Sequence, residues 1–267
     1  MNKVNPFLYP NIDNSNHWII SEIILNQCNK HPEKKIIEFV DGPEWSFNNL
    51  KDIAFEKAKI LKDLKIKQGD TVTVMVDDPI EFIPYWVASS FLGVMFVALN
   101  TALKGSVLHH QIKLANSSVM IVSDLHYKDV DQLVKEKKSK IKVFNCSELK
   151  SKGMILEKEV YGGKISDEIC TMFTSGTSGP SKGVLMPNAH CVLFAVGTIE
   201  NYKLNHNHIF YISLPLFHAN GLFMQLLACI MVGSKAVIKS RFSASNWLND
   251  IRKYNVTHTN MLGAIAA

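Results

Sequence analysis

Short helices and strands alternate along the first half of the chain. Between residues 46 and 123, apolar side chains recur at helical spacing in three segments, and a short run rich in apolar or β-branched residues follows each of them. The predicted helices cover residues 46–64, 80–92 and 106–115, and the predicted strands cover residues 71–76, 94–99 and 119–123. This order places the strands side by side in a largely parallel sheet covered by helices, so the sequence predicts an α/β fold.

The segment 174–183 has a composition suited to binding phosphate. It contains five hydroxyl side chains, three glycines and one lysine. Glycines let backbone N–H groups approach phosphate oxygens, while Ser, Thr and Lys add donors and positive charge. A flexible Ser/Gly linker is the alternative interpretation. The order of the residues favours a phosphate-binding loop.

This loop differs from the Walker motif, which has Gly immediately before its Lys. Here Ser181 precedes Lys182, and Gly183 follows it. The apolar runs at 169–173 and 183–186 predict a strand on each side of the loop. A Walker loop instead leads from a strand into a helix.

The segment resembles the phosphate loop of the adenylate-forming superfamily, which comprises acyl-CoA synthetases, luciferases and peptide-synthetase adenylation domains. The pattern of that loop is T-S-G-T-T-G-x-P-K-G. This chain has Ser178 in place of the second Thr and Pro180-Ser181 in place of x-Pro. Neither change removes a donor to phosphate.

A second segment resembles the next signature of the same family, a strand end whose aromatic residue and His border the carboxylate pocket. It reads Ser213-Leu214-Pro215-Leu216-Phe217-His218-Ala219-Asn220-Gly221. A lone His beside a Phe is more often an ordinary core or surface residue, but the neighbouring loop favours a pocket-lining role for His218. Residues 240–247 and 257–264 resemble the carnitine/crotonobetaine-CoA ligase-like branch, although packing alone also explains them.

The resemblance implies part of the family's N-terminal domain, built from stacked α/β subdomains with largely parallel sheets. Residues 1–165 are expected to form the first subdomain and residues 166–267 the start of the second, with the turn-rich stretch 145–166 between them. The family's C-terminal domain and its adenine, ribose and Mg²⁺ segments are expected beyond Ala267. The chain is therefore expected to be an N-terminal fragment with little or no turnover by itself.

The resemblance also implies an ATP-dependent, AMP-forming acyl-CoA ligase of fatty acid metabolism. Such enzymes join a carboxylic acid to ATP, release pyrophosphate and transfer the acyl group from the adenylate to coenzyme A. Mg²⁺ is an implied cofactor, and no metal ligand is expected in this chain. Lys182 and His218 are the implied catalytic residues, and Phe217, His218 and Gly221 are implied to line the substrate pocket. The nucleotide would be bound by Thr174, Ser175, Gly176, Thr177, Ser178, Gly179, Lys182 and Gly183.

Two other functions remain open at this stage. The parent enzyme could load a carrier-protein phosphopantetheine or act on an amino or aryl acid, because the loop is common to all branches. Alternatively, the chain could be a truncated, non-catalytic domain that binds only a nucleotide or a partner protein. Small or polar acids would suit the carnitine-like branch by analogy.

Composition narrows the classes of partner and compartment. The net charge is +5, but only two of the 29 basic residues are Arg, which argues against sequence-specific nucleic-acid binding. The apolar stretches 87–99 and 222–232 are too short to span a bilayer, and the N-terminus lacks a secretory signal, so a cytoplasmic location is expected. The five cysteines are expected to be reduced and buried. The pairs His109-His110 and His206-x-His208 are interpreted as surface residues.

Overall fold

The computed structural model describes residues 5–174 and 180–263. The chain forms two compact units. One unit consists of residues 52–188 and is contiguous in sequence; we call it the inserted unit. The other consists of the residues up to 51 together with those from 189 onward, and we call it the split unit. Each unit contains one β-sheet of its own.

Helices and strands alternate through both units. The elements before the phosphate-loop segment are α1 (Ile20–Lys30), β1 (Lys35–Phe39), β2 (Glu44–Ser46), α2 (Phe47–Asp63), β3 (Thr71–Met75), α3 (Pro79–Leu92), β4 (Met95–Ala98), α4 (Gly105–Ala115), β5 (Val119–Val122), α5 (Asp124–Glu136), β6 (Lys142–Asn145) and β7 (Glu168–Phe173). Those after it are β8 (Gly183–Pro187), α6 (Asn188–Tyr202), β9 (Ile209–Ile212), a π-helical segment (Asn220–Leu227), α7 (Ala228–Val232), β10 (Lys235–Ile238), α8 (Ala244–Lys253) and β11 (His258–Thr259).

The sheet of the inserted unit has six strands in the order β6-β5-β3-β4-β7-β8. All neighbouring pairs are parallel except the hairpin of β7 and β8, which is antiparallel. Apolar side chains of α4 and α5, among them Leu108, Ile112 and Val130, pack against Met75 and Val97 of the sheet. The predicted α/β fold with a largely parallel sheet is confirmed.

The start of α3, a helix of the inserted unit, shows how the local sequence determines where an element begins. The Asp78 side chain caps the helix by accepting a hydrogen bond from the Ile80 N–H at 2.9 Å. Pro79 occupies the first turn, where no N–H is needed for the helix ladder. The observed helix therefore begins within one residue of the predicted start.

The sheet of the split unit has five strands in the order β11-β9-β10-β1-β2. Strand β1 pairs in parallel with β10, which brings Phe39 opposite Ile238, and the antiparallel strand β2 closes the edge. The fully buried Gln27 of α1 donates from Nε2 to the carbonyl oxygen of Ile230 at 2.8 Å. The N-terminal residues are thus built into the same core as the segment that follows residue 189.

The predicted boundary at residue 165 does not coincide with either boundary of the two units. Strand β7, which that boundary assigned to the later subdomain, hydrogen-bonds to β4 within the inserted unit. Residues up to 51, assigned to the first subdomain, pair instead with strands of the last third of the chain. Pairing between strands distant in sequence sets these units, whereas the predicted boundary followed local turn composition.

Two further expectations can be compared with the structure. All five cysteines are free and buried, as expected. Across residues 5–174 and 180–263, no helix combines the length and the apolar character needed to cross a membrane.

Candidate functional site

The phosphate-loop segment joins the two strands of the β7–β8 hairpin. Strand β7 ends at Phe173 and β8 begins at Gly183, and these two residues form the last pair of the ladder. The predicted strands on both sides of the loop are therefore confirmed. The five predicted phosphate-binding residues between them, Ser175, Gly176, Thr177, Ser178 and Gly179, lie outside the described residues.

Hydrogen bonds continue the hairpin one step beyond its strands, at a place we call the loop base (Thr174, Ser181 and Lys182). The Thr174 N–H donates to the carbonyl oxygen of Lys182 at 3.0 Å, and the Lys182 N–H donates to Thr174 Oγ1 at 3.2 Å. Ser181 Oγ donates to the carbonyl oxygen of Thr174 at 2.6 Å. Thr174 Oγ1 thus serves as an acceptor inside the loop base, and its hydroxyl hydrogen remains able to donate.

Helix α4 contacts the loop base through two side chains. Gln111, which is only 5% exposed, donates from Nε2 to Ser181 Oγ at 3.1 Å. His110 Nε2 lies 3.0 Å from the carbonyl oxygen of Ser181, so this nitrogen carries the proton and donates. His110 lies on helix α4 with intermediate exposure, and its contact with the loop base was not predicted. No local sequence signal identifies either contact, since the partners are about 70 residues apart.

Lys182 of the loop base suits an anion, and the next residue, Gly183, keeps β8 close to β7. Lys182 is exposed, and within the described part of the chain no carboxylate forms an ion pair with it. Gly183 packs closely on β7, because a Cβ atom at this position would lie 3.0 Å from Thr171 Cγ2. The ammonium group of Lys182 is therefore available to an external negative charge.

The second predicted signature follows strand β9 in the split unit. The rings of Phe217 and His218 lie with their centroids 4.5 Å apart at an angle of 56°. The His218 N–H donates to the carbonyl oxygen of Pro215 at 3.2 Å, and the His218 carbonyl oxygen accepts from the Leu222 N–H at 3.1 Å. The turn thus holds His218 two residues before the start of the π-helical segment.

The imidazole of His218 is biased toward its neutral form. Its side chain retains contact with solvent, yet desolvation by surrounding protein atoms lowers its pKa below the ordinary value. A neutral imidazole carries one donor and one acceptor nitrogen, so it can hydrogen-bond a substrate group without adding a full charge.

Gly221 is the point where the π-helical segment approaches the preceding turn. A Cβ atom there would lie 2.7 Å from the carbonyl oxygen of Pro215 and 2.8 Å from that of Leu214. Both atoms belong to the backbone and cannot rotate away. Only a glycine fits at this position without moving the turn that carries His218.

Three side-chain amides form a partly buried chain beside this turn. Gln225 donates from Nε2 to Asn220 Oδ1 at 2.7 Å, and Asn260 Nδ2 donates to the same oxygen at 3.1 Å. Gln225 is fully buried, and within the described part of the chain its Oε1 makes no hydrogen bond. The sequence analysis did not identify Gln225 or Asn260 as part of this arrangement, because the signature contains only Asn220.

The predicted site residues therefore fall into two groups, each held by its own unit. Thr174, Lys182 and Gly183 belong to the inserted unit, and Phe217, His218 and Gly221 belong to the split unit. Among residues 5–174 and 180–263, no cluster of three or more His, Cys, Asp or Glu side chains is arranged to hold a metal ion.

Sequence comparison gives relatives of two kinds. Long-chain fatty acid transport protein 6 of Mus musculus is 23% identical over 256 residues, which are 90% of this chain and 41% of that protein. The 2-succinylbenzoate–CoA ligase of Oceanobacillus iheyensis is 28% identical over 241 residues, which are 90% of this chain and 48% of that protein. The chain thus covers less than half the length of either relative.

Solved structures show the same fold. O-succinylbenzoate coenzyme A synthetase from Bacillus subtilis, in complex with AMP, superposes with a TM-score of 0.81 at 23% identity, covering 91% of this chain and 62% of that one. Its complex with ATP and magnesium ion gives a TM-score of 0.81 at 24% identity, covering 94% of this chain and 50% of that one. This chain therefore shares the α/β fold of these two structures.

A model of one protein family matches residues 24–267, which include both predicted signatures. That family is described as the AMP-binding enzymes. The match covers more than half of the chain and agrees with the fold, the hairpin and the exposed Lys182. The chain belongs to the AMP-binding enzyme family.

Proposed function

We propose that this chain carries the phosphate-binding and acid-binding parts of an AMP-forming acyl-CoA ligase. A carboxylate oxygen of the acid attacks the α-phosphorus of ATP, the bond to pyrophosphate breaks, and an acyl-adenylate forms. The thiol of coenzyme A then attacks the acyl carbon, and AMP leaves. The observation that carries this proposal is the loop base, where hydrogen bonds between Thr174, Ser181 and Lys182 extend the hairpin and Lys182 is exposed with no ion pair within the described residues.

The chemistry requires positive charge and oriented donors, because an anionic acid must approach an anionic α-phosphate. Lys182 supplies one positive charge, and Thr174 supplies a hydroxyl donor whose oxygen is already fixed by the Lys182 N–H. We propose that these two residues, with Ser175, Gly176, Thr177, Ser178 and Gly179, hold the β- and γ-phosphates and then the departing pyrophosphate. Gly183 lets β8 begin close to β7.

The acid end is proposed to lie against Phe217, His218 and Gly221. The lowered pKa of His218 keeps the imidazole neutral near pH 7, so it offers a hydrogen bond without pairing a full charge with the carboxylate. The absence of a side chain on Gly221 lets the π-helical segment approach the turn that carries His218. Lys182 and His218 are thus the two residues to which we assign catalytic roles.

We propose a small or polar carboxylic acid as substrate, on the resemblance of residues 240–247 and 257–264 to the carnitine/crotonobetaine-CoA ligase-like branch. ATP with Mg²⁺ is the proposed nucleotide, and we assign no Mg²⁺ ligand among the described residues. Mg²⁺, when bound with the nucleotide, would neutralise part of the negative charge of the phosphates. Coenzyme A is the proposed acyl acceptor, and a cytoplasmic location is proposed with it.

The test is ATP binding by calorimetry, followed by acid-dependent exchange of pyrophosphate into ATP. We expect Lys182→Ala to weaken MgATP binding about 10- to 100-fold, the loss typical of a hydrogen bond to a charged group. Lys128→Ala is the matched control, because Lys128 is an exposed lysine on α5 of the same unit. Equal affinities of the two variants would remove Lys182 from its assigned role.

Product analysis then separates the acceptors. A coenzyme A thioester supports the ligase proposal, whereas an acyl-adenylate that transfers only to a carrier-protein phosphopantetheine supports an enzyme that loads another acceptor. Nucleotide binding with no exchange for any acid, in the full-length protein as well as in this chain, supports a non-catalytic binding domain. The expectation that these 267 residues alone turn over slowly or not at all remains a prediction, and the exchange assay on this chain measures it.

A further inference from the structure

The residue at position 181 distinguishes this loop from the pattern that it resembles. That pattern has Pro immediately before the Lys, and the proline ring fixes φ near −65°. This chain has Ser181 there, with the proline one position earlier at Pro180. The backbone directly before Lys182 therefore lacks the covalent restriction that the pattern provides.

Hydrogen bonds restrict Ser181 in its place. Its hydroxyl donates to the Thr174 carbonyl oxygen and accepts from Gln111 Nε2, so both roles of the hydroxyl are used. Its carbonyl oxygen accepts from His110 Nε2. The side chain and the backbone of Ser181 are thus held from two sides, by Thr174, which directly follows β7, and by α4.

Helix α4 is a rigid support for these contacts. Leu108 and Ile112, which flank His110 and Gln111 in sequence, are each 3% exposed and belong to the core of the inserted unit. Gln111 is itself buried, and a buried amide that loses its partner carries a large desolvation cost. Because α4 packs in the core, the side chains of His110 and Gln111 hold Ser181 at a fixed position relative to that core.

We infer that His110 and Gln111 are positioning residues that fix Ser181, and through it Lys182, in place of the proline of the family pattern. Neither residue needs to touch the substrate. They hold the backbone at Ser181, and Lys182 is the next residue along the chain. The effect on nucleotide affinity rests on the proposed phosphate-binding role of the loop, whereas the effect on the loop base does not.

The first test measures the loop base without nucleotide. Amide hydrogen exchange at Lys182 reports on its hydrogen bond to Thr174 Oγ1. Gln111→Met keeps the side-chain volume and removes the donor; we expect exchange at Lys182 to become about fivefold faster, while amides of β3 and β5 keep their rates. Gln132→Met is the matched control, because Gln132 on α5 donates to Glu136 at an exposed position. Unchanged exchange at Lys182 in Gln111→Met overturns the inference.

The second test is a double-mutant cycle on MgATP affinity. Ser181→Ala and Gln111→Met each remove the same hydrogen bond, so we expect the double variant to bind only as weakly as Ser181→Ala. Ser181→Pro restores the covalent restriction of the family pattern, and in that background Gln111→Met is expected to have no effect on affinity. Full additivity of Gln111→Met with either variant at position 181 overturns the inference.

The two tests separate this inference from the proposed function. If the full-length protein, like this chain, binds no MgATP, the proposed function is contradicted, while the exchange rates at Lys182 still decide whether His110 and Gln111 position the loop base. A chain that binds MgATP but shows no response to Gln111→Met in either test keeps the proposed function and overturns the inference.

Discussion

Replacing Gly221 by Ala is the sharpest structural test of the turn that carries His218. The new Cβ atom would lie 2.7 Å and 2.8 Å from two backbone carbonyl oxygens, at Pro215 and Leu214. Real Cβ atoms do not approach so closely, so the backbone of the turn has to move. The hydrogen bond from the His218 N–H to the Pro215 carbonyl oxygen lies in the part that moves.

The size of the effect follows from two opposing contributions. Overpacking a tight site costs about 1–3 kcal/mol, and two backbone contacts place this case near the upper end. Ala in a helical position regains at most about 1 kcal/mol relative to Gly. We therefore expect Gly221→Ala to lower the free energy of unfolding by about 2 kcal/mol.

Gly197 supplies the matched control in the same unit. It lies inside α6, and a Cβ atom there would meet nothing within 4 Å. Gly197→Ala is therefore expected to raise the free energy of unfolding by about 0.5–1 kcal/mol. Urea unfolding followed by circular dichroism measures both variants, provided that the m-value stays constant. If Gly221→Ala were as stable as Gly197→Ala, the close approach at Gly221 would be refuted.

Three further predictions concern buried and titrating groups. Because desolvation lowers the pKa of His218, the unfolded chain binds a proton more readily than the folded chain, so the free energy of unfolding falls as the pH drops below about 6.5. His218→Gln should make the urea midpoint depend less on pH when it is measured at pH 7.5, 6.5 and 5.5. An unchanged pH dependence of the midpoint contradicts this prediction. Burial raises the pKa of Cys146 to about 12, and all five cysteines are buried, so Ellman's reagent should label none of them before unfolding; rapid labelling of the native chain would disprove this. Gln225→Leu should change the free energy of unfolding by less than about 1 kcal/mol, because it removes both the hydrogen bond to Asn220 and a buried acceptor, Oε1, that has no hydrogen bond within the described residues. Gln225→Ala also leaves a cavity and should lower the free energy of unfolding by about 2–5 kcal/mol. Equal effects of the two variants in chemical denaturation would count against this account.

Local sequence signals were enough to predict α2, α3, α4, β3, β4 and β5 of the inserted unit, whereas α5 and β6 were not predicted. The strand 94–99 was predicted one residue too long at each end, and α3 was predicted one residue short at its start. These elements carry their own signals, namely apolar periodicity and the Asp78-Pro79 start. The hairpin around the loop was likewise predictable, because two apolar runs flank a Gly-rich turn.

Contacts between distant segments were not predictable in this way. The sequence analysis made no prediction for β1, whose place in the sheet depends on β10 about 200 residues later. The same applies to His110 and Gln111, whose contacts with Ser181 depend on how α4 lies against the β7–β8 hairpin. It applies again to the pairing of Gln225 with Asn220, because a π-helical segment changes which residues face each other.

The division of the split unit has a consequence for biosynthesis. Ribosomes extend chains at about 5–20 residues per second, so β1 would wait roughly 10–40 s before its partner β10 is made. Every strand of the inserted unit is made before that interval ends, and the sheet of this unit uses no strand beyond residue 188. In the nascent chain, β1 therefore lacks its partner strand β10 while the sheet of the inserted unit forms. Residues 1–51 should therefore increase the need of the nascent chain for chaperones.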